Sequence, residues 1–289
     1  MAQGQDEPAP VQYDDAVAED EASDRRLGLR QAERLDAITE LVLGAGSMRI
    51  EDLTQTFGVS TMTIHRDLDT LDAQGILRKS RGVVTAVATS LFEASTEYRA
   101  RQARAEKEAV SRAAFSLVEP GQAVMLDDST TGLHLAELMI QRQPLTVITN
   151  FQRVINILVG HPGIALISSG GLYYQWCEAF MGTVATTGIG TLRADIAFIS
   201  SPAVTDGMCF HQHHDAVLIK RAMFEAARKR VLYIDHSKFE KRALHAHHKV
   251  SDFDVVIVDS NISPDDLGRL QDTGVEVMLA PVSASRRDR

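Results

Sequence analysis

Residues 51–82 read EDLTQTFGVSTMTIHRDLDTLDAQGILRKSRG, and the fold of the first third of the chain turns on them. Ile50, Leu53 and Phe57 recur at helical spacing and predict a short helix with one apolar face. Gly58 follows where a tight turn needs left-handed backbone, and Val59 stands as a core anchor. Ser60 caps the next helix by accepting a bond from an otherwise unpaired backbone N–H. In that helix Ile64, Leu68 and Leu71 share one face. Thr61, Met62, Thr63, His65 and Arg66 crowd its N-terminal end, and several of them project outward. This is helix-turn-helix geometry, in which the first residues of the second helix meet base edges in the major groove. Downstream, Gly75 stops the helix and two short strand-like runs flank Arg81 and Gly82. They predict a wing that sets Arg78, Lys79 and Arg81 beside a phosphate backbone. Upstream, Leu35, Ile38, Leu41 and Val42 predict a first amphipathic helix stopped by Gly44 and Gly46. A bare three-helix packing unit would explain the apolar spacing. It would not explain turn glycine, capping serine, Thr/Arg-rich helix start and basic wing in that order.

The 289 residues suffice for two ordinary domains, and no apolar run approaches the ~20 residues that span a membrane. The formal net charge of −9 argues against a nucleic-acid partner until it is divided along the chain. Residues 1–24 hold eight carboxylates and no Lys or Arg, whereas residues 25–82 hold nine Lys/Arg against eight Asp/Glu. The deficit lies in an acidic segment without apolar periodicity, read as a disordered tail. Affinity for DNA must then come from where charges sit and from two copies of the unit. The predicted layout is an acidic tail (1–24), a winged helix-turn-helix domain (25–86), a charged linker helix (87–106), an α/β sensor domain (107–282) and a short C-terminal tail (283–289). Cys177 and Cys209 could pair once, but reduced thiols of a cytoplasmic protein are the simpler expectation.

Residues 107–282 alternate apolar strand-like runs with helical stretches, the pattern of a largely parallel sheet. Ala123–Leu126 reads as a strand and Leu133–Ile140 as a helix. Between them Asp128, Ser129, Thr130 and Thr131 offer hydroxyls and N–H groups at a helix N-terminus, a place that holds anions. Other strand ends deliver Asn150, the pair Gly170 and Gly171, and Asp235 with Lys238. The glycines admit close backbone approach, Lys238 supplies a point charge, and Asp127 and Asp235 accept ligand hydroxyls. Each feature alone reads as a cap, a turn or a surface ion pair. Their convergence on strand ends, where open α/β sheets bind ligands, favours a site.

At this point the chain resembles the DeoR family of bacterial regulators. Gly58-Val59-Ser60 and the Thr63-to-Leu68 run are similar to that family's DNA-binding signature. VMLDDSTT (124–131), VITN (147–150), SSGG (168–171), ADIAFIS (194–200), IKRAMFEAA (219–227) and IDHSKF (234–239) follow in the order of its sensor domain. The resemblance spans about residues 25–282. It implies a Rossmann-like sensor fold similar to ribose-5-phosphate isomerase, a phosphorylated sugar or polyol effector, and Lys220 as a further effector ligand. It also implies repression of a carbohydrate operon, relieved by effector, with double-stranded operator DNA as the other partner. Three positions depart from the family pattern: His65 replaces a second basic residue, Ser80-Arg81-Gly82 replaces a His-Gly-Gly wing, and Asp127-Asp128-Ser129-Thr130-Thr131 replaces D-S-G-T-T.

Six of the ten histidines fall in two tetrads, HQHH (211–214) and HAHH (245–248). His211, His213 and His214 are candidates for an anionic effector or a transition metal, but no Cys partners stand at zinc-site spacing. No resident metal, no cofactor and no catalytic residue is assigned. Palindromic operators imply a homodimer or homotetramer. Two alternatives stay open: a sugar-phosphate isomerase carrying a DNA-binding module, and a metal-responsive regulator using the tetrads.

Overall fold

The computed structural model describes residues 31–39, 41, 42, 45, 47–86 and 96–282. The acidic tail, Gly44 and Gly46, residues 87–95 and the last seven residues lie outside them. The chain divides into two compact units, Met1–Ala86 and Val87–Arg289.

In the first unit residues 31–39, 41 and 42 are helical (α1) and are followed by β1 (Ser47–Arg49), α2 (Ile50–Phe57), α3 (Thr61–Ala73), β2 (Leu77–Ser80) and β3 (Val83–Ala86). Gly58 adopts the left-handed conformation (φ 62°) and its N–H donates to the Thr54 carbonyl, closing α2. Ser60 Oγ accepts the Thr63 N–H at 3.1 Å and opens α3. The two expected strands form, and β1, which the sequence does not announce, completes a sheet in the order β1-β3-β2. Arg81 and Gly82 both take positive φ between the paired Ser80 and Val83, the backbone of a tight hairpin. Ile38, Val42, Leu53, Ile64, Leu68, Leu71, Ile76 and Leu77 form the core, while Phe57 and Val59 are only half-buried.

The second unit runs α4 (Thr96–Arg101), α5 (Arg104–Phe115), β4 (Ala123–Leu126), α6 (Thr130–Met139), β5 (Leu145–Thr149), α7 (Gln152–Leu158), β6 (Ile164–Ser168), β7 (Leu172–Tyr174), β8 (Ala179–Met181) and α8 (Thr183–Gly190). There follow β9 (Ala194–Ile199), β10 (Ala203–Thr205), β11 (Met208–His211), α9 (His214–Ala226), β12 (Ala227–Ile234), β13 (His245–Lys249), β14 (Val255–Asp259), α10 (Pro264–Asp272) and β15 (Glu276–Ala280). Short 3-10 turns at His236–Phe239 and Val250–Asp252 bracket β13. The expected linker helix is broken: α4 ends at Arg101, Ala103 takes φ 49°, and α5 starts afresh at Arg104. The break has a cause, because the Arg99 and Gln102 carbonyls accept the Lys107 ammonium.

Seven strands form one sheet in the order β15-β14-β12-β9-β4-β5-β6, with every pairing parallel. Buried on both faces, such strands are continuously apolar; Val255–Asp259 has no exposed residue. The chain winds outward from β4 through β5 to β6, then returns to the other side of β4 and winds outward again. The reversal lies between β4 and β9, and the residues just past their carboxyl ends are Asp127 and Ser200. Ligand clefts of open parallel sheets form at such a reversal.

Candidate functional site

Thr61, Met62 and Arg66 lie exposed on α3, Met62 at 67%. Arg78 and Arg81 are exposed on the wing. Ser60 and Thr63 spend their hydroxyls on each other, 2.8 Å apart, so both stabilise the helix start. Lys79 is turned onto Asp69 and stands 3.5 Å from His65 Nδ1, which ties wing to helix through a charge that sequence reading aimed at phosphate. A buried brace was missed. Asp67 is fully buried and accepts Arg34 Nε at 2.5 Å and Arg34 Nη2 and Gln31 Nε2 at 3.1 Å each, joining α3 to α1.

In the second unit α6 begins three residues earlier than the sequence predicts. Ser129 is its cap, accepting the Thr131 N–H at 3.1 Å, and Thr130 and Thr131 form the first turn. Thr131 O accepts Ser111 Oγ at 2.8 Å from α5. Asp127 is fully buried and saturated: Oδ2 accepts Lys220 Nζ at 2.5 Å, Ser200 N at 2.7 Å and Ser200 Oγ at 2.9 Å, and Oδ1 accepts Tyr233 OH at 3.0 Å. Burial drives the Tyr233 hydroxyl well above its ordinary pKa, with the Asp127 charge adding to it, so it stays a donor. Gly132 makes room for this bond, since a Cβ there would lie 2.8 Å from Tyr233 OH. Asp127 and Lys220 thus anchor the floor of the reversal point from β4 and α9.

Around that anchor the structure gathers Asp128, Asn150 and Asp235 from three strand ends, all buried. Asp128 Oδ1 and Asn150 Oδ1 have no hydrogen-bond partner, although Asn150 Nδ2 donates to Phe180 O at 3.2 Å. Asp235 pairs with Lys238 at 3.1 Å and accepts the Ser237 N–H at 3.1 Å. Burial opposes ionisation of Asp235, but Lys238, the Ser237 donors and Lys107 outweigh it and hold the carboxyl below its ordinary range. Gly170 and Gly171 take φ 60° and 109°. A Cβ on Gly171 would come within 2.6 Å of Met181 O, so packing against β8 already requires that glycine.

Lys107, the first residue of the expected sensor domain, carries no assigned role in the sequence. It lies on the buried stripe of α5 with Val110, Ser111 and Ala114, and that helical spacing is the signal that betrays it. Burial, reinforced by the Lys238 charge, lowers its pKa to about 7. A cavity of about 620 Å³ opens on the outward face of α6 between Arg104, His134, Arg153 and Ile157. It shares only Thr130 with the strand-end residues, and Glu108 and Glu178 already hold Arg104 and Arg153.

The two histidine tetrads meet in the sheet β10-β11-β13, where His211 pairs in register with His245 and Cys209 with His248. His211 Nδ1 accepts the His213 N–H at 3.0 Å, the His213 ring lies 4.2 Å from Trp176, and His214 meets His245 edge-on. His247 stands 3.2 Å from Ser201 Oγ and 3.0 Å from His248 Nδ1, and His248 stacks on Phe224 at 3.9 Å. Among the described residues no group of three or more His, Cys, Asp or Glu has the geometry of a metal site. Cys177 and Cys209 are buried thiols, and burial pushes Cys209 up to about 12.

Burial lowers His248 to about 4, with Arg221 adding to the effect, and lowers His247 well below its ordinary value. Both are neutral in the fold, whereas the unfolded chain takes up their protons near pH 6.5. Their contribution is complete above pH 6.5 and is lost as pH falls towards 4. The melting temperature of the second unit is therefore expected to fall between pH 6.5 and 4.5, and a His248→Phe variant to fall less steeply. Equal slopes in a pH series of thermal melts would refute this.

Among the described residues no helix is long and apolar enough to cross a membrane. Residues 34–90 match the model of a DeoR-like helix-turn-helix domain and residues 102–260 that of the DeoR C terminal sensor domain. A protein of Escherichia coli O157:H7 assigned as the aga operon transcriptional repressor is 32% identical over 252 residues, 86% of this chain and 93% of that one. The lactose phosphotransferase system repressor of Staphylococcus epidermidis is 30% identical over 238 residues, 81% of this chain and 94% of that one. A solved ribose 5-phosphate isomerase A from Methanocaldococcus jannaschii aligns at TM-score 0.34 and 15% identity, covering 46% of this chain and 53% of that one. Matches to both the helix-turn-helix and the sensor domain, with a relative 32% identical over 86% of the chain, make this chain a member of the DeoR family.

Proposed function

We propose that the protein represses a carbohydrate catabolism operon in the cytoplasm and is released from its operator by a phosphorylated sugar or polyol. The observation that carries the effector class is the N-terminus of α6, which opens at Ser129 just past the end of β4, with Lys238 3.1 Å from Asp235 at a second strand end. The N-terminal donors of a helix and a lysine at a strand end suit a phosphate. Ser129, Thr130 and Thr131 are the proposed hydroxyl and N–H donors, with Asn150 and Asp235 for ligand hydroxyls. Lys220 and Asp127 hold the floor, and Gly170 and Gly171 border the ligand. His211, His213 and His214 are carried as further candidates for contact with an anionic effector. Repression rather than turnover fits Asp127, whose bonds to Lys220, Ser200 and Tyr233 leave it no freedom to shuttle a proton.

The test is a thermal-shift screen of the purified protein against sugar and polyol phosphates and their dephosphorylated parents. A ligand at 100 times its Kd adds about 2.7 kcal/mol to the second unit. Stabilisation by a phosphate and not by its parent, with release of operator DNA at the same concentration, is the expected result. Stabilisation by parents alone would overturn it.

On the operator, Thr61, Met62, His65 and Arg66 are proposed to face the major groove from a helix start that Ser60 and Thr63 hold, and Arg78 and Arg81 the flanking phosphates, with Lys79 bracing the wing through Asp69. Two copies of the chain, as a homodimer or homotetramer, supply the paired recognition helices. Arg66→Ala is expected to weaken operator binding at least tenfold and to flatten the log–log salt dependence by about 0.9 if Arg66 reaches a phosphate. Anisotropy titrations between 50 and 200 mM salt (roughly the range over which such slopes are read) check both. Unchanged affinity would remove Arg66 from the interface.

A further inference from the structure

Between Arg153 and Arg193 stand 39 residues, and Glu178 is the one Asp, Glu, Lys or Arg among them, in a chain where such residues make up 24%. Arg153 grips that carboxylate through Nε at 2.9 Å and Nη2 at 2.7 Å. Burial does not explain the depletion: of residues 159–184, only Cys177, Ala179 and Met181 are buried. Val159, Ile167, Leu172, Tyr173 and Val184 are exposed, Leu172 at 63% and Val184 at 69%. They are five of the nine large apolar side chains exposed among the described residues. A surface poor in charge and rich in apolar and aromatic groups has the composition of an interface core. Its centre is β6, an edge of the seven-stranded sheet, and among the described residues no strand pairs with its outer side. Proteins that stay solitary blunt such edges with charge, proline or a bulge. β6 reads IALIS, has none of these residues and pairs with β5 in unbroken register. The opposite edge, β15, opens on exposed Glu276 and runs into Pro281. Beside β6, Phe180 N donates to Asn150 O at 2.8 Å and holds the β7–β8 hairpin at the carboxyl end of β5.

We infer that this face joins two copies of the chain about a two-fold axis, β6 of one protomer pairing antiparallel with β6 of its partner, flanked by the β7–β8 hairpins and α8. The inference rests on the two-copy reading of the operator complex and says which surface makes the pair. A strand that meets its own copy across a perpendicular two-fold is antiparallel, so each free N–H faces a free C=O of the other. Two chains of net charge −9 repel over most of their surfaces, whereas here each brings one carboxylate already held by its own arginine. The size also fits. The 23 exposed or half-buried residues of 159–184 fall within the roughly 20–30 residues a side of a stable interface.

The experiment is analytical ultracentrifugation of the full chain at micromolar concentration, where a dimer or a multiple of it is expected. Ile167→Lys and Leu172→Lys are each expected to halve the molar mass. Leu279→Lys, the same change on the opposite edge, is expected to leave it as it was. Oxidative cross-linking gives a second readout that puts no charge at the joint. Cys177 and Cys209 are buried, so a new surface thiol reports alone. At least one of Ala165→Cys and Ile167→Cys is expected to yield a disulfide-linked dimer, and Leu279→Cys none. An oligomer that dissociates in Leu279→Lys, or that survives both lysine changes near β6 and forms no cross-link there, would overturn this inference and leave the two-copy reading standing. An unaltered chain that stays monomeric would overturn both.

Discussion

Lys220→Met is expected to destabilise the second unit by about 3–5 kcal/mol, the usual cost of removing one partner of a buried ion pair. At roughly 2–4 °C per kcal/mol for a unit of this size, the melting temperature drops by about 6–20 °C. Lys220 is 1% exposed and its ammonium sits 2.5 Å from Asp127, which has no exposure at all. Methionine fills most of the volume, so the loss is electrostatic rather than a cavity. Asp127 would keep its bonds from Ser200 and Tyr233 but lose the ammonium that pairs with it, and Asp128 would lose the same ammonium at 3.7 Å. The double variant Asp127→Asn/Lys220→Met removes both charges and is expected to recover at least half of the loss. Differential scanning calorimetry of the two single variants and the double supplies the cycle. A single-variant loss below about 1 kcal/mol, the range of exposed pairs, would show that the pair is not a buried one.

That pair shows where sequence reading stops. The elements themselves were legible, because apolar runs such as Val231–Ile234 and the helical spacing of Ile64, Leu68 and Leu71 are local patterns that the fold leaves intact. The strand-end loops were legible for the same reason: a strand followed by a capped helix fixes where its loop lies. What could not be read is which charged side chains turn inward. Asp127 and Lys220 are 93 residues apart, and only the winding of the sheet brings them together. Lys107 was hidden by its neighbours, since the surrounding run of Arg and Glu reads as a solvated connector although the lysine occupies the buried stripe of α5. The histidine tetrads looked like two sites and meet as one because β11 and β13 are hydrogen-bonded neighbours. The wing showed its position but not its bonding: Lys79 follows the predicted strand and then turns to Asp69 rather than outward. In each case the missing quantity is a long-range pairing, which spacing along the chain does not encode.

The same distinction governs the recognition helix, where Asp67→Ala is expected to reduce operator affinity more than a hundredfold although Asp67 touches no DNA. A carboxylate between Arg66 and Leu68 looks from the sequence like part of a solvated face. In the fold it has no exposure, and the Arg34 guanidinium grips it through two nitrogens, with Gln31 donating a third bond. These bonds run from α1 to α3 across 33 and 36 residues and fix the tilt of the helix that carries Thr61, Met62 and Arg66. Losing the carboxylate leaves the partly buried Arg34 without its counter-charge, at about 3–5 kcal/mol. A unit this small has little more stability than that to lose, so the DNA-binding unit is expected to unfold while the second unit melts at its former temperature. Hydrogen exchange resolves the two: amides of α3 lose protection and those of β12 and β14 keep it. Arg34→Ala is expected to do the same, because it strands Asp67 in turn. The double variant Arg34→Leu/Asp67→Leu, which leaves neither charge behind, should be less damaged than the sum of its parts. Strict additivity, or an α3 that keeps its protection in Asp67→Ala, would mean that this brace does not hold the reading head in place, and the loss of affinity would then have to come from the protein–DNA contact itself.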